Sequence, residues 1–154
     1  MLWLSSFINT ILLDSASKNF RSHLNSDMKD PELKFWTTKP SVFLVATTDS
    51  GKVVGCISYR QINTDTVEMH RLAVDEDFRK LSIGQRLVQA LIDTAKENGY
   101  DTMYLETSNA QRNSRRLYER MKFKYLHNIA LEWPIVDYLY SLCGLKEMAY
   151  IKRI

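Results

Sequence analysis

The stretch Val67-Glu-Met-His-Arg-Leu-Ala-Val-Asp-Glu-Asp-Phe-Arg-Lys-Leu-Ser-Ile-Gly84 decides the fold, together with the long amphipathic segment that follows it to Lys96. Apolar residues up to Val74 and the acidic turn at residues 75–77 predict a strand. The segment after residue 82 predicts a helix, because its apolar residues fall on one side and Gly99 then ends it. These apolar residues are Ile83, Leu87, Val88, Leu91, Ile92 and Ala95.

The connection between this strand and helix is the basic turn Arg79-Lys80-Leu81-Ser82-Ile83-Gly84. The N-terminus of a helix presents backbone N–H groups that have no partner inside the helix, and such groups suit an anion, especially a pyrophosphate. Taken alone, the turn allows two interpretations: an anion-binding loop, or a solvated loop that merely begins a helix. The rest of the chain has to decide between them.

The bulk composition predicts one ordinary globular domain. The chain has 154 residues, of which 45% are hydrophobic and 25% are charged, enough for a real core. A net charge of +3 is too small to indicate nucleic acid by itself. Cys56 and Cys143 are too few for a disulfide framework, so reduced thiols are expected.

The N-terminal segment Met1–Leu13 is apolar and uncharged, and Asp14 closes it. It is shorter than the roughly 20 helical residues that cross a bilayer. Two interpretations stay open: contact with a membrane, as an interfacial anchor or the end of a membrane segment, and a helix packed on the domain. We therefore divide the chain into an apolar segment, residues 1–14, and a domain, residues 15–154.

The remaining pattern predicts a mixed α/β domain, in which helices flank a mostly antiparallel central sheet. Val42–Thr47 and Val53–Gln61 form a hairpin that the Val67 strand extends. The strand Thr102–Thr107 lies parallel to the Val67 strand if the helix between them makes a right-handed crossover. Further helices are predicted over Ser15–Asn25, from Asp30 through Trp36 and over Asn113–Met121, and closing strands over Phe123–Leu131 and Met148–Ile154. The aromatic insert Trp133–Leu145 allows no assignment.

Several kinds of chemistry have no support in the sequence. His23, His70 and His127 lack metal-ligand spacing with one another and with the cysteines, so no metal is expected. There is no Gly-x-x-x-x-Gly-Lys loop and no Gly-x-Ser-x-Gly elbow. A cluster of arginines on the second helix is typical of a solvated helix face rather than of a nucleic-acid site. The cluster consists of Arg112, Arg115, Arg116 and Arg120.

Three motifs in order give residues 68–123 a resemblance to the GNAT superfamily of acyl-CoA N-acyltransferases. Leu72-Ala73-Val74 resembles the end of the family's strand, and Arg79–Gly84 resembles its loop Arg/Gln-x-x-Gly-x-Gly/Ala. Leu117–Phe123 resembles its Leu-Tyr-Glu-x-x-Gly-Phe motif. The whole chain further resembles the camello-like branch, membrane-associated acetyltransferases of animals.

The chain departs from the family pattern at three positions. Ser82 and Lys122 stand where the family has glycine, and Gln111 stands where many members have asparagine. If position 82 requires a positive φ, serine there costs roughly 1 kcal/mol relative to glycine.

The resemblance implies acetyl-CoA as the co-substrate. Backbone N–H groups of Leu81–Gly84, with Arg79 and Lys80 nearby, would hold its pyrophosphate. Leu72–Val74 would pair with the pantetheine like an added strand, and one N–H there would lie on the thioester oxygen. The implied cofactor residues are Leu72, Ala73, Val74, Arg79, Lys80, Leu81, Ser82, Ile83, Gly84, Gln111 and Asn113.

The resemblance also implies catalytic candidates. Glu68 occupies the strand position of a family glutamate base; the even spacing to Val74 predicts a common face unless a bulge intervenes. His70 shares the face of Glu68 and is the rival base. Tyr118 would protonate the coenzyme A thiolate. The alternatives are a surface glutamate, a packed or solvated histidine, and a tyrosine that belongs to the core beside Leu117.

The expected function is therefore N-acetyl transfer from acetyl-CoA to a primary amine by direct attack. The camello-like branch implies an amino acid, a cysteine conjugate or a protein lysine as the acceptor, and location at a membrane, such as the endoplasmic reticulum, with the cytoplasm as the alternative. No nucleic-acid partner is expected. The departures at Ser82 and Lys122 keep a second hypothesis open: a non-catalytic CoA-binding or membrane-tethered interaction module.

Overall fold

The computed structural model describes residues 40–130 and 134–154 of the chain. The apolar segment Met1–Leu13 and the short helices predicted between Ser15 and Trp36 lie outside these described residues, as does the end of the predicted strand Phe123–Leu131.

The described residues form a six-stranded sheet in the order β1-β2-β3-β4-β6-β5. Only β3 and β4 run parallel, and the four other neighbouring pairs are antiparallel. The predicted mixed sheet, its hairpin and its parallel crossover are confirmed. The strands are β1 Ser41–Thr47, β2 Val53–Gln61, β3 Thr66–Val74, β4 Thr102–Ser108, β5 Lys124–Ile129 and β6 Glu147–Arg153.

Three α-helices lie in the described ranges: α1 Ile83–Glu97, α2 Arg112–Arg120 and α3 Pro134–Leu142. A short 3-10 turn, Glu76–Phe78, comes between β3 and α1. All six apolar residues predicted for one side of α1 are buried. Gly99 follows the helix with a φ of +85°, the left-handed conformation in which glycine commonly ends a helix. α3 occupies the insert for which the sequence allowed no assignment.

α1 packs closely on the β2–β3 pair because Gly55 leaves room for it. A Cβ at Gly55 would lie 3.1 Å from Leu87 Cδ1 of α1 and 3.0 Å from the carbonyl oxygen of Ala73. At the other end of the helix, Asn98 donates a hydrogen bond to the hydroxyl of Tyr59, at 2.9 Å. Gly55 and Tyr59 therefore both lie on the face of the sheet that carries α1.

A β-bulge in β3 changes which face its residues occupy. Met69 pairs with Tyr59, and Val74 pairs with Gly55, so both lie on the α1 face although an odd number of positions separates them. The register shifts between these pairs, and Arg71 at the shift has a φ of 60°. The predicted common face of Glu68 and Val74 is therefore wrong, because the bulge intervenes and puts Glu68 on the opposite face.

No helix in the two described ranges has both the length and the apolar content needed to cross a membrane.

Candidate active site

β3 and β4 separate beyond the middle of the sheet. Their parallel pairing runs from Thr66↔Thr102 to Met69↔Leu105 and goes no further. The later residues of β3, Leu72–Val74, therefore have no ladder partner on β4, and the Val74 carbonyl oxygen instead accepts a hydrogen bond from Arg79 Nε at 3.4 Å. We call this unpaired stretch between the two strands, beyond Met69 and Leu105, the gap; on its β3 side the chain continues into the turn that leads into α1.

This turn is anchored to β2 at its beginning. The Asp75 N–H donates to the carbonyl oxygen of Val54 at 2.9 Å, and the Asp75 carboxylate accepts from the N–H of Asp77 at 3.1 Å. Lys52 Nζ lies 3.2 Å from the same carboxylate and 4.8 Å from the centre of the Phe78 ring. These contacts hold the chain in place before the basic loop begins.

The basic loop has the backbone shape of an anion site. Lys80 and Ser82 both adopt a left-handed conformation, with φ values of 65° and 60°. Ser82 makes no side-chain cap, and the first N–H that bonds back into the helix is that of Arg86, which donates to the Ser82 carbonyl at 3.0 Å. Within the described ranges, the N–H groups of Leu81–Gly84 have no acceptor, so they are available to a ligand.

The side chains of the loop contribute less than its backbone. Arg79 is engaged by the protein itself, since its Nη1 lies 2.7 Å from Glu76 Oε1. Lys80 is exposed, Leu81 is 58% exposed and Ile83 is buried in the core. A Cβ at Gly84 would meet only ordinary contacts, with Leu117 Cδ2 at 3.5 Å, so packing does not require glycine there.

Glu68 and His70 lie together on the face opposite α1. Glu68 Oε2 is 3.0 Å from His70 Nε2 and 2.8 Å from Arg60 Nη2, and its side chain is only 10% exposed. Burial by itself raises the pKa of Glu68. The contacts with His70 and Arg60 lower it by more, so the pKa of Glu68 lies below its usual value. Arg60, on β2, therefore joins the candidate site, and no sequence motif had indicated it.

Tyr104 and Glu106 were also missed, and they lie on the same face as Glu68. Tyr104 pairs with Glu68 across β3 and β4, and its hydroxyl donates to Glu106 Oε1 at 2.8 Å. Burial and the contact with Glu106 raise the pKa of Tyr104. Alternation along the predicted strand Thr102–Thr107, set beside the Glu68 strand, is the signal that could have found both residues.

Tyr118 lies on the α1 side of the sheet. It is 6% exposed, and its ring centre is 6.0 Å from that of Phe123 and 6.4 Å from that of Tyr150. Burial raises the pKa of Tyr118 to about 12, so the hydroxyl keeps its proton at neutral pH. Lys122, just before Phe123, has the positive φ of 66° that the family's glycine would adopt readily.

Gln111 and Asn113 lie at the beginning of α2. Gln111 precedes the helix, and its amide oxygen accepts from the hydroxyl of Thr107 at 3.3 Å. Asn113 is exposed in the first turn. Leu117 of the same helix approaches Gly84, so α2 adjoins the N-terminus of α1. The structure thus brings the basic loop and α2 together on the α1 face of the sheet. Glu68, His70 and Arg60 lie together on the opposite face. The gap beyond Met69 lies between these two groups.

The described ranges contain no group of three His, Cys, Asp or Glu side chains arranged to hold a metal ion.

Comparison with protein families gives one match that covers most of the chain. The family model described as the acetyltransferase (GNAT) family matches residues 9–123. "Probable N-acetyltransferase camello" of Xenopus tropicalis is 40% identical over 104 residues, which are 66% of this chain and 47% of that protein. N-acetylaspartate synthetase of Mus musculus is 34% identical over 104 residues, 67% of this chain and 34% of that protein. The chain spans about half the length, or less, of these curated relatives.

Solved structures share the fold. An acetyltransferase of Bacillus anthracis, in complex with acetyl coenzyme A, has a TM-score of 0.68 at 18% identity, over 79% of this chain and 67% of that chain. A GNAT-family acetyltransferase of Staphylococcus aureus has a TM-score of 0.66 at 19% identity, over 82% of this chain and 76% of that chain.

Proposed function

Because the chain belongs to the acetyltransferase (GNAT) family, we propose that it is an N-acetyltransferase that moves the acetyl group of acetyl-CoA to a primary amine. The observation that carries this proposal is the gap between β3 and β4, which ends at a loop whose N–H groups have no acceptor in the described ranges. A long thioester with a pyrophosphate at one end matches a gap with an anion site at its end.

The residues present fit acetyl-CoA. The N–H groups of Leu81–Gly84 would hold the pyrophosphate, with Lys80 beside them, and Leu72–Val74 would bond the pantetheine amides along the open side of β3. Arg79 would contribute after releasing Glu76, its partner at 2.7 Å. Gln111 and Asn113, at the start of α2, are the remaining proposed contacts. Acetyl-CoA supplies an activated acyl group, and the protein supplies binding, orientation and proton transfer.

Three groups would serve the chemistry. A backbone N–H near Leu72–Val74 would stabilise negative charge that develops on the thioester oxygen. Tyr118 would donate its proton to the departing thiolate, since its raised pKa of about 12 keeps it protonated. The Glu68–His70 pair, at 3.0 Å, would take a proton from the acceptor amine.

For the acceptor, we propose a small amine or peptide: an amino acid, a cysteine conjugate or a protein lysine. A relative in mouse is named N-acetylaspartate synthetase, which supports an amino acid as one class to test first. A panel of these amines, each supplied with acetyl-CoA, would rank the three classes by kcat/KM.

We further propose that residues 15–154 form the acetyltransferase domain and that Met1–Leu13 contacts a membrane, such as the endoplasmic reticulum, with a cytoplasmic location as the alternative. The uncharged apolar sequence of residues 1–13 supports the proposal. Sedimentation with vesicles tests it: the whole chain should pellet, and the double variant Leu4→Lys with Ile8→Lys should stay in the supernatant.

Calorimetry and a thiol-release assay test the catalytic proposal. Acetyl-CoA should bind below millimolar concentration, and turnover with a primary amine should release free thiol. Absence of binding up to millimolar acetyl-CoA would refute the proposed function. Binding without thiol release from any of the amine classes would favour the non-catalytic CoA-binding module.

The role of Tyr118 has its own control. Tyr118→Phe should lower kcat by about 10²- to 10⁴-fold, because it removes the proton donor and keeps the ring. Tyr59→Phe is the matched change at a second buried tyrosine, whose hydroxyl accepts a hydrogen bond from Asn98 at 2.9 Å. It should leave kcat unchanged, and an equal loss in both variants would assign Tyr118 to the core alone.

A further inference from the structure

Two partners converge on a single oxygen of Glu68. His70 Nε2 lies 3.0 Å from Oε2, while Arg60 approaches the same oxygen with Nη2 at 2.8 Å and Nε at 2.9 Å. Nε and Nη2 of a guanidinium form a rigid fork. They therefore hold the carboxylate in position, and the positive charge of the guanidinium favours its ionised form. Glu68 and His70 are side by side on β3, and Arg60 pairs with Glu68 from β2.

The buried carboxylate decides which nitrogen of His70 carries the proton. Nε2 is fully buried, and in the described ranges it has no hydrogen bond of good direction, although Oε2 of Glu68 is in contact with it. A lone pair on Nε2 would face the negative oxygen, whereas an N–H there is attracted to it. The proton of the neutral imidazole therefore belongs on Nε2, and the lone pair belongs on Nδ1.

The same contacts make Glu68 a poor proton acceptor. Burial alone would raise the pKa of this carboxyl, but His70 and Arg60 lower it below its usual value. A base whose pKa is lowered takes protons inefficiently near neutral pH. The other groups that face the pair do not serve as the base either. Ser58, opposite His70 on β2, carries a hydroxyl that is not basic. Tyr104 on β4 is held neutral by its raised pKa and donates its proton to a hydrogen bond with Glu106.

We propose that Nδ1 of His70 takes the proton of the acceptor amine, that Glu68 stays ionised and orients the imidazole, and that Arg60 is a positioning residue that holds Glu68. This inference rests on the proposed acetyltransferase function. In the step itself, the lone pair of Nδ1 forms a new N–H bond and an N–H bond of the acceptor ammonium breaks. The electron pair of that bond stays on the amine nitrogen as the attacking lone pair, and the imidazolium later returns its proton to solvent.

Nitrogen NMR of the histidine rings tests the tautomer without any substrate. The chain has three histidines, so comparison with His70→Gln assigns the His70 signals. At a pH where the ring is neutral, we expect the proton on Nε2, with slow exchange because this atom is buried. Glu68→Gln and Arg60→Gln should both speed that exchange. A proton on Nδ1 in the unaltered protein would overturn the proposal, whether or not the protein has acetyltransferase activity.

The pH dependence of kcat separates the two bases. His70→Gln should lower kcat by about 10²- to 10⁴-fold and remove the acid limb of the profile. Glu68→Gln should lower kcat less and keep the acid limb, because Nδ1 still accepts the proton. The reverse pattern, with the limb lost in Glu68→Gln and kept in His70→Gln, would overturn the assignment and make Glu68 the base.

The role of Arg60 is tested against a matched strand arginine. Arg60→Gln should lower kcat about tenfold with little change in the KM of acetyl-CoA, and Arg60→Lys should restore only part of the loss because a lysine lacks the fork. Arg153→Gln, at an exposed arginine of β6 that lies 4.0 Å from Asp101, should leave kcat unchanged. Equal kcat in Arg60→Gln and the unaltered protein would refute the positioning role. A protein that binds no acetyl-CoA would instead refute the proposed function.

Discussion

Ser82 adopts a backbone conformation in the basic loop that suits glycine better than serine. Its φ of 60° lies in the left-handed region, where a Cβ clashes with the following carbonyl group. Its hydroxyl makes no cap that would offset this cost. A glycine, as in the family pattern, would adopt this φ without the strain, so the serine is expected to lower the stability of the loop.

Ser82→Gly should therefore stabilise the protein, by at most about 1 kcal/mol, because relief of the left-handed strain outweighs the larger entropy of an unfolded glycine. Urea unfolding, followed by circular dichroism, measures the change. Ser50→Gly is the control, because Ser50 does not have a positive φ and its hydroxyl lies 2.8 Å from that of Thr48. This control should destabilise, and a destabilised Ser82→Gly would contradict the strain argument.

Glu68 should make stability depend on pH. Its folded pKa lies below the usual 4.5, so the unfolded state binds more protons in that range. The stabilisation is therefore fully present above about pH 4.5 and disappears as the pH falls through the lower folded pKa. Urea unfolding between pH 3 and pH 7 measures this: as the pH falls, the free energy of unfolding should decline less for Glu68→Gln than for the unaltered protein.

Arg60→Gln serves as the partner control in the same series. It removes one cause of the lowered pKa of Glu68 and keeps the carboxyl. The decline of its free energy of unfolding from pH 7 to pH 3 should therefore lie between those of Glu68→Gln and the unaltered protein. Arg60 is 58% exposed, and solvent screening limits its contribution at pH 7 to about 1 kcal/mol or less. Identical pH profiles for all three proteins would contradict the linkage.

At the scale of elements, the contact between β2 and α1 sets the position of the loop. Gly55 lets the helix approach closely, since an added Cβ would lie 3.1 Å from Leu87 Cδ1 of α1 and 3.0 Å from the backbone oxygen of Ala73 on β3, so these neighbours would have to shift. Gly84, in the first turn of α1, has room by contrast, with its nearest neighbour, Leu117 Cδ2, at 3.5 Å. Packing therefore accounts for a glycine at position 55, and it does not require a glycine at position 84.

Gly55→Ala and Gly84→Ala should have opposite effects on stability. The first should cost about 1–3 kcal/mol, because backbone and Leu87 would have to move. The second should be neutral or stabilising by up to about 1 kcal/mol, because alanine favours a helix over glycine. Thermal and urea unfolding of both variants measure this, and similar losses in the two would contradict the packing distances.

The bulge at Arg71 is the second feature that belongs to this scale. It allows the apolar residues Met69 and Val74 to share the α1 face, and it leaves Glu68 and His70 free for the opposite face. It also frees the end of β3 from regular pairing, next to the gap where β4 departs after Leu105. One inserted residue therefore separates, along a single strand, the core residues, the edge proposed to bind the cofactor and the pair proposed to transfer a proton.

For the whole molecule, binding of acetyl-CoA should appear as added stability. A ligand at about 100 times its Kd, bound only to the folded state, adds about 2.7 kcal/mol to the free energy of unfolding. Differential scanning calorimetry should show this with acetyl-CoA and with CoA. The acetyl thioester of N-acetylcysteamine, which lacks the pyrophosphate, should give no comparable shift at the same concentration, and an equal shift would contradict the role of the loop.

The sequence alone determined the elements and their order between residues 40 and 130, because β2, β3 and α1 carry strong apolar periodicities. It also placed the basic loop at the start of α1, because the loop lies in the sequence between a strand and an amphipathic helix that the apolar pattern identifies. It did not find α3, because the aromatic segment around residues 134–142 has apolar residues without a single clear period.

Only the tertiary structure decided which side chains meet. The register between β2 and β3 brings Arg60 to Glu68, and neither spacing nor composition fixes a register that depends on a bulge. The same bulge reversed the predicted relation between Glu68 and Val74. Sequence periodicity describes one element at a time, whereas faces, gaps and ion pairs arise from contacts between elements distant in the chain, and these depend on how the whole core packs.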